Sequence, residues 1–365
     1  MQALGNDRTV KNRWLWQGME KLGIEVLNVA ENDIGELKAL GVDPRGSNRF
    51  ISANLLSAAS GEPLLKPYVV KQFATKGSEK KYRLGFLGLS ERESFLKTDQ
   101  AGYIWADPLA SAKKWLPELR QKCDFLIVLA CMPAREAVQL AVDNSNIDMI
   151  VNGFTHQGSG MPAHINQSTL VYAEDEGKIL GELRFKVAQR EKVEAQPVNH
   201  TLTRNVQDEP AMAAFISQAK AVISAEQQIL VNTAAATEPP PAATSSFVTT
   251  AGCTACHAAA FEVWAKSRHS HAIETLKQQR KEFDTSCVGC HVTGDGQTGG
   301  FVDLARTAHL ANVQCEACHG PGKAHMEKPV ETKMAKLTAN SCIRCHTKSN
   351  SPEFEFAAYW EKIKH

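Results

Sequence analysis

Cys253-Thr-Ala-Cys256-His257, Cys287-Val-Gly-Cys290-His291, Cys315-Glu-Ala-Cys318-His319 and Cys342-Ile-Arg-Cys345-His346 are four copies of one pentapeptide, Cys-x-x-Cys-His, in the last third of the chain. Each copy is a c-type haem attachment site: the two thiols form thioethers with the haem vinyl groups and the adjacent His takes the iron. Pairs of Cys-x-x-Cys also suit tetrahedral zinc, but zinc does not require a His after every second Cys. The chain has 12 His in 365 residues, so four such placements by chance have a probability on the order of one in a million, and only haem attachment needs them. The expected cofactors are four covalently bound haem c groups, held by Cys253, Cys256, Cys287, Cys290, Cys315, Cys318, Cys342 and Cys345, with His257, His291, His319 and His346 as proximal ligands.

The sixth position on each iron decides its chemistry: a second His makes an electron carrier, whereas an open position admits a small molecule. Five further His lie in the same region: His269, His271, His309, His325 and His365. His271 and His325 are the distal ligands expected first, with His309 and His365 as further candidates. His269 stands two residues from His271, and on a helix both cannot aim at one iron.

Eight of the ten Cys belong to the haem motifs, leaving Cys123 and Cys131 as core thiols rather than a disulfide framework. Basic and acidic residues balance at 41 against 40, which gives no basis for nucleic-acid binding. No run of 18 apolar residues occurs, so no membrane span is expected. Covalent haem attachment takes place outside the cytoplasm, so a periplasmic or extracytoplasmic location is expected. Met1-Gln-Ala-Leu-Gly-Asn-Asp7 has neither a basic n-region nor an apolar h-region, giving the expectation that the natural chain starts upstream.

Thr233-Ala-Ala-Ala-Thr-Glu-Pro-Pro-Pro-Ala-Ala-Thr-Ser-Ser246 cannot bury a face and reads as a tether. The expected organisation is therefore residues 1–231, a linker at 232–249 and a haem domain at 250–365. In the first part, strand-like runs at 24–30, 49–56, 83–89, 125–131, 149–154 and 179–187 alternate with helical segments at 13–22, 108–121 and 134–142, the second started by Asp107 and Pro108. This alternation predicts an α/β fold, closed by an amphipathic helix at 210–231. The haem part, poor in aliphatic residues, predicts short helices and loops around porphyrins.

Cys287-x-x-Cys-His-Val-Thr-Gly, Gly299-Gly300-Phe301, Asn312-Val-Gln-Cys315-Glu-x-Cys-His-Gly-Pro-Gly-x-x-His325, Ser351-Pro-Glu-Phe-x-Phe and Tyr359-Trp360 resemble the tetrahaem cytochrome c-554-like family. The resemblance implies a mainly α multihaem domain, haems in closely stacked pairs, and electron shuttling between redox partner proteins such as other cytochromes or membrane quinol-linked reductases. It also implies that one haem can lack a distal protein ligand, which makes reduction of a small nitrogen or sulfur oxide the alternative function.

Leu22-Gly-Ile-Glu-Val-Leu-Asn-Val29, Phe50-Ile-Ser-Ala-Asn54, Lys66-Pro-Tyr68, Leu84-Gly-Phe-Leu-Gly-Leu89, Asp124-Phe-Leu-Ile-Val-Leu129, Ile147-Asp-Met-Ile-Val-Asn-Gly153 and Gly177-Lys-Ile-Leu-Gly181 resemble the metallophosphoesterase domain of periplasmic 5'-nucleotidases and UDP-sugar hydrolases. The resemblance implies an α/β metallophosphoesterase-like sandwich, but one with its metal ligands degraded. The family's Gly-Asn-His-Glu is Asn28-Val29-Ala30-Glu31 here, its next His aligns with Cys131, and its Gly-His-x-His is Gly153-Phe154-Thr155-His156. Two-metal hydrolysis needs several hard ligands per ion. Cys131 with His156 is at most a weak single-metal candidate. No catalytic residue is assigned, and a surviving metal-dependent nucleotidase is the remaining enzyme reading.

Overall fold

The computed structural model describes the chain except residues 1, 75–80, 92–101, 155–161, 174–176, 178, 188–192, 204, 239–244 and 349. The chain divides into two compact units, Asn12–Glu209 on one hand and Met1–Lys11 with Pro210–His365 on the other.

In Asn12–Glu209 the strands are β1 (Leu27–Asn28), β2 (Phe50–Ile51), β3 (Leu55–Ser57), β4 (Tyr68–Ala74), β5 (Lys81–Ser90), β6 (Tyr103–Trp105), β7 (Phe125–Cys131), β8 (Met149–Asn152), β9 (Ala163–Ile165), β10 (Ser168–Tyr172), β11 (Ile179–Val187) and β12 (Val193–Thr201). Its helices are α2 (Glu31–Ala39), α3 (Pro108–Lys122) and α4 (Ala134–Asp143), after α1 (Gln2–Lys21), which spans the unit boundary. A six-stranded sheet runs β4-β5-β7-β8-β10-β9, parallel from β5 to β10 and antiparallel at both edges.

Successive residues of a strand point to opposite faces, and β7 uses both. Leu126 and Val128 bury against Leu116, Leu119 and Leu140 of the crossover helices α3 and α4. Phe125 and Ile127 face the other way and pack with Met149, Tyr82 and, from the β11–β12 hairpin, Leu183 and Phe185. Phe185 meets Phe125 edge-on with ring centres 5.3 Å apart. The result is the expected layered α/β architecture. Each fully buried aliphatic side chain contributes about 1.5–3 kcal/mol to it. Gly85 lets α3 dock closely, since a Cβ there would lie 2.8 Å from Cys123 Sγ and 2.9 Å from Leu119 Cδ1.

Asp107 caps α3 as expected, accepting from the Ala110 N–H at 2.6 Å. The run at 24–30 forms only the two residues of β1, and the run at 49–56 splits into β2 and β3. The break is Asn54, fully buried, whose side chain bonds the Ser90 and Ala106 backbone instead of letting the strand continue.

The second unit holds α5 (Pro210–Thr237), α6 (Thr249–Thr254), α7 (Ala258–Ala265), α8 (Ala272–Gln278), α9 (Thr285–Val288), α10 (Cys315–His319), α11 (Lys323–Glu327), α12 (Ala339–Ile343) and α13 (Phe356–Trp360). Two boundaries differ from the sequence expectation. Helix α5 continues to Thr237 through the alanine run that reads as tether, because alanine has the highest helix propensity, and it clusters with the haem motifs rather than with the α/β sheet. Phe247, assigned to the linker, is buried among Ile273, Leu276, Val288, Val292, Phe301 and Leu310. Residues 245–249 are thus part of the folded unit. That small cluster is its main apolar core.

A polar hub supplements the core. Gln314 Oε1 accepts from the Thr250 N–H at 2.8 Å, and Gln314 Nε2 donates to the His309 and Ala311 carbonyls. Glu316, 1% exposed, accepts from the N–H groups of Val248, Thr249 and Gly322 at 2.9, 2.8 and 2.7 Å. Gln314 and Glu316, at the start of α10, thereby fix the entrance to the first motif and the exit of the third.

Candidate haem sites

Each motif starts on a helical turn. Cys253, Cys287, Cys315 and Cys342 lie on α6, α9, α10 and α12. In the first and last motifs the second Cys and the His both bond back to the first Cys carbonyl, at 3.2 and 3.0 Å in each case. Residues three and four apart on a helical turn share a face, so both thiols and the imidazole address one volume.

The rings then meet across the unit. His257 lies opposite His325 with ring centres 6.1 Å apart, His346 opposite His269 at 6.2 Å, and His319 opposite His365 at 5.9 Å. Imidazoles on the two faces of one iron have centres about 6 Å apart, from about 2 Å of metal–nitrogen distance on each side and about 1 Å from nitrogen to ring centre. The three separations match that span.

The imidazoles are oriented by their second nitrogens. Nδ1 of His291 reaches the Ala272 carbonyl at 2.6 Å, Nδ1 of His319 the Ala335 carbonyl at 3.1 Å, Nδ1 of His325 the Thr332 carbonyl at 2.6 Å and Nδ1 of His365 the Ile363 carbonyl at 3.0 Å. Nδ1 of His346 lies 3.2 Å from Ser351 Oγ. A carbonyl can only accept, so the proton sits on Nδ1 and Nε2 is left with its lone pair, the arrangement that metal-bound His adopts. The donor set therefore fits haem iron. Zinc needs about four converging ligands, and among the described residues no three His, Cys, Asp or Glu form a metal-binding group.

Of the distal candidates, His325 and His365 face proximal rings. His271 and His309 do not; both are exposed. The ring opposite His346 is that of His269, two residues before His271. The reason is local: Arg268–His271 is a 3-10 turn, where residues two apart diverge by about 240°. His269 is additionally pinned by its carbonyl, which accepts from the Val313 N–H at 3.1 Å. Among the described residues none of the opposed pairs includes His291, whose Nδ1 also has Thr275 Oγ1 at 3.3 Å.

Thiols of different motifs also approach each other. Cys253 hydrogen-bonds Cys315; as thiols, this holds Cys315 down at about 6 and pushes Cys253 up. Burial, together with Cys290 beside it, pushes Cys345 up to about 12. The first motif thus neighbours the third and the second neighbours the fourth, while Cys318 also feels Cys342, so the third and fourth motifs are neighbours as well. Residues 252–320 match the cytochrome c554 and c-prime family. The chain is 37% identical over 86 residues to cytochrome c-554 of Nitrosomonas europaea, covering 20% of this chain and 37% of that protein.

The ends of the sheet strands in the other unit present a different picture. Asn28 Nδ2 donates to the Leu89 carbonyl and Ser90 Oγ at 2.9 and 3.0 Å. Asn152 exchanges two hydrogen bonds with the Met132 backbone, at 3.2 and 2.8 Å. Cys131 closes β7 beside Ser90 of β5. His156 lies outside the described residues, so the Cys131 and His156 pairing has no geometry here.

This part of the chain is 24% identical over 222 residues to the 2',3'-cyclic-nucleotide 2'-phosphodiesterase/3'-nucleotidase of Yersinia enterocolitica, covering 49% of this chain and 32% of that protein. The chain therefore spans about a third of the length of both curated relatives. Among solved structures, a 5'-nucleotidase precursor from Thermus thermophilus aligns with a TM-score of 0.47 at 20% identity, covering 63% of this chain and 48% of the other.

Proposed function

We propose that this chain is an extracytoplasmic tetrahaem c-type cytochrome that passes electrons between redox partner proteins. The observation that carries the reading is the facing of three motif His by three other His at the separation two axial imidazoles require. In this reading His257 and His325, His319 and His365, and His346 and His269 each hold one iron, while the eight motif Cys hold the porphyrins. Haem supplies one-electron redox chemistry, and two imidazole ligands favour electron transfer over ligand binding. The mutual neighbouring of the first with the third, the second with the fourth and the third with the fourth motifs supports closely spaced haems.

His291 favours a second reading for the second-motif haem. With no His opposite it among the described residues, that iron is the place for a small nitrogen or sulfur oxide. The α/β unit is proposed as a docking or ligand-binding scaffold rather than a hydrolase.

Mass spectrometry of protein matured in a periplasm tests the count, with four haem additions expected and fewer at saturation refuting it. Electron paramagnetic resonance of the same protein should show three low-spin haems and one high-spin haem. Replacing His269 by Ala should convert one further haem to high spin, while His271→Ala leaves the spectrum unchanged. The reverse pattern would overturn the ligand assignment.

A further inference from the structure

Among the five imidazoles whose Nδ1 partner is defined above, His346 stands apart. The other four point at backbone carbonyls, which are held by the fold and accept only. His346 alone relies on a side chain, the Ser351 hydroxyl, at 3.2 Å. The hydroxyl is placed by a compact turn: the Ser351 N–H donates to the Thr347 carbonyl at 2.8 Å, and the Phe354 N–H donates to the Ser351 carbonyl at 2.9 Å. Pro352 follows and restricts the Ser351 backbone to extended conformations. Phe354 then stacks on His346 with ring centres 4.8 Å apart and planes 15° from parallel, and Tyr359 closes edge-on at 5.4 Å. The turn thus holds both the tilt of the ring and the acceptor for its outer nitrogen.

Resting on the reading of His346 as an iron ligand, we propose that Ser351 is the positioning residue that sets the redox potential of the fourth-motif haem. A hydrogen bond from Nδ1 makes the imidazole more electron-rich and stabilises the oxidised iron, and second-sphere bonds of this kind are one of the protein's means of tuning a haem. A 3.2 Å bond to a neutral hydroxyl pulls on the Nδ1 proton less than the 2.6 Å carbonyl contacts at His291 and His325. The fourth-motif haem is accordingly poised by one replaceable side chain, whereas the haems of the second and third motifs have proximal His bound to the backbone.

The experiment uses the mature haem protein and three variants, Ser351→Ala, Ser351→Asp and Ser351→Thr, followed by potentiometric titration and electron paramagnetic resonance. Ser351→Ala should raise the potential of a single haem, favouring its reduced form about tenfold, equivalent to about 59 mV for a one-electron couple. Ser351→Asp, placing a carboxylate against Nδ1–H, should lower the same potential, and Ser351→Thr should restore the wild-type value. Opposite signs from Ala and Asp distinguish electronic tuning from a loosened turn, which would shift both in one direction. Four haems and a low-spin fourth-motif signal in each variant, with no change in any potential, would overturn the role of Ser351. A His346→Ala control that leaves all low-spin signals intact would instead overturn the ligand reading beneath it.

Discussion

Replacing Glu316 by Ala should be among the most destabilising single changes outside the haem ligands. Its carboxylate is almost wholly buried and receives three backbone N–H groups, from Val248, Thr249 and Gly322. A hydrogen bond to a charged acceptor contributes about 1.5–3 kcal/mol, and an orphaned buried donor costs about 1–3 kcal/mol. Three such losses sum to at least about 4 kcal/mol, while partial opening of the loop to water recovers some of it. The expected loss is about 3–5 kcal/mol for Glu316→Ala and about 1–2 kcal/mol for Glu316→Gln, which keeps one acceptor oxygen. Thr249 adds to the effect, because its left-handed φ of 63° costs about 1–3 kcal/mol and is held by its bond to Glu316. The assay is urea unfolding of the mature protein followed through the haem Soret band, which reports only on the unit that binds haem. The midpoint should fall with an unchanged slope. A loss below about 1 kcal/mol for Glu316→Ala, or equal losses for Ala and Gln, would refute the argument that the three N–H groups depend on this carboxylate.

Three further outcomes follow from the other unit. Denatured mature protein should show two reactive thiols, Cys123 and Cys131, with the other eight consumed as thioethers, and native protein should protect Cys123, which is 5% exposed. Burial pushes the Cys123 thiol up, so the unfolded chain releases this proton first and stability falls as pH rises past the ordinary thiol value of 9.0; Cys123→Ala should flatten that alkaline loss in a pH series of unfolding midpoints. Nucleotides supplied with manganese or zinc should not be turned over by the full-length protein, and metal-dependent turnover abolished by His156→Ala would restore the hydrolase reading.

Much of the haem unit is legible in sequence because its chemistry is local. A helical turn of Cys-x-x-Cys-His brings its two thiols and its imidazole together whatever surrounds it. The opposing His are not local, and spacing alone does not single out His269 as the ring opposite His346. The 3-10 turn at Arg268–His271 and the bond from the Val313 N–H to the His269 carbonyl set the direction of each ring, and neither is visible in the spacing. Strands β7 and β11 match their apolar runs residue for residue, since each is bounded by clear breaks. β4 and β12 carry Lys71, Gln72, Glu194 and Gln196 among their apolar residues, so no continuous apolar run marks them. Strand β1 shows the reverse failure. Its apolar run from Ile24 is real, but only Leu27 and Asn28 find a partner, in β2.

The strand ends of the α/β unit are tied to one another by asparagine side chains. Two metals would cross-link several strand termini through shared ligands. Here amide side chains make the links. An Asn side chain both donates and accepts, so one residue can tie two backbone segments. Asn54 binds the end of β5 at Ser90 and the end of β6 at Ala106, Asn28 joins β1 to Leu89 and Ser90, and Asn152 ties the end of β8 to Met132 beyond β7. Each link contributes about 0.5–1.5 kcal/mol per hydrogen bond and requires no ion. Stability of this unit is therefore expected to be indifferent to chelators, and a lowered unfolding midpoint after chelation would refute the view that these amide links suffice.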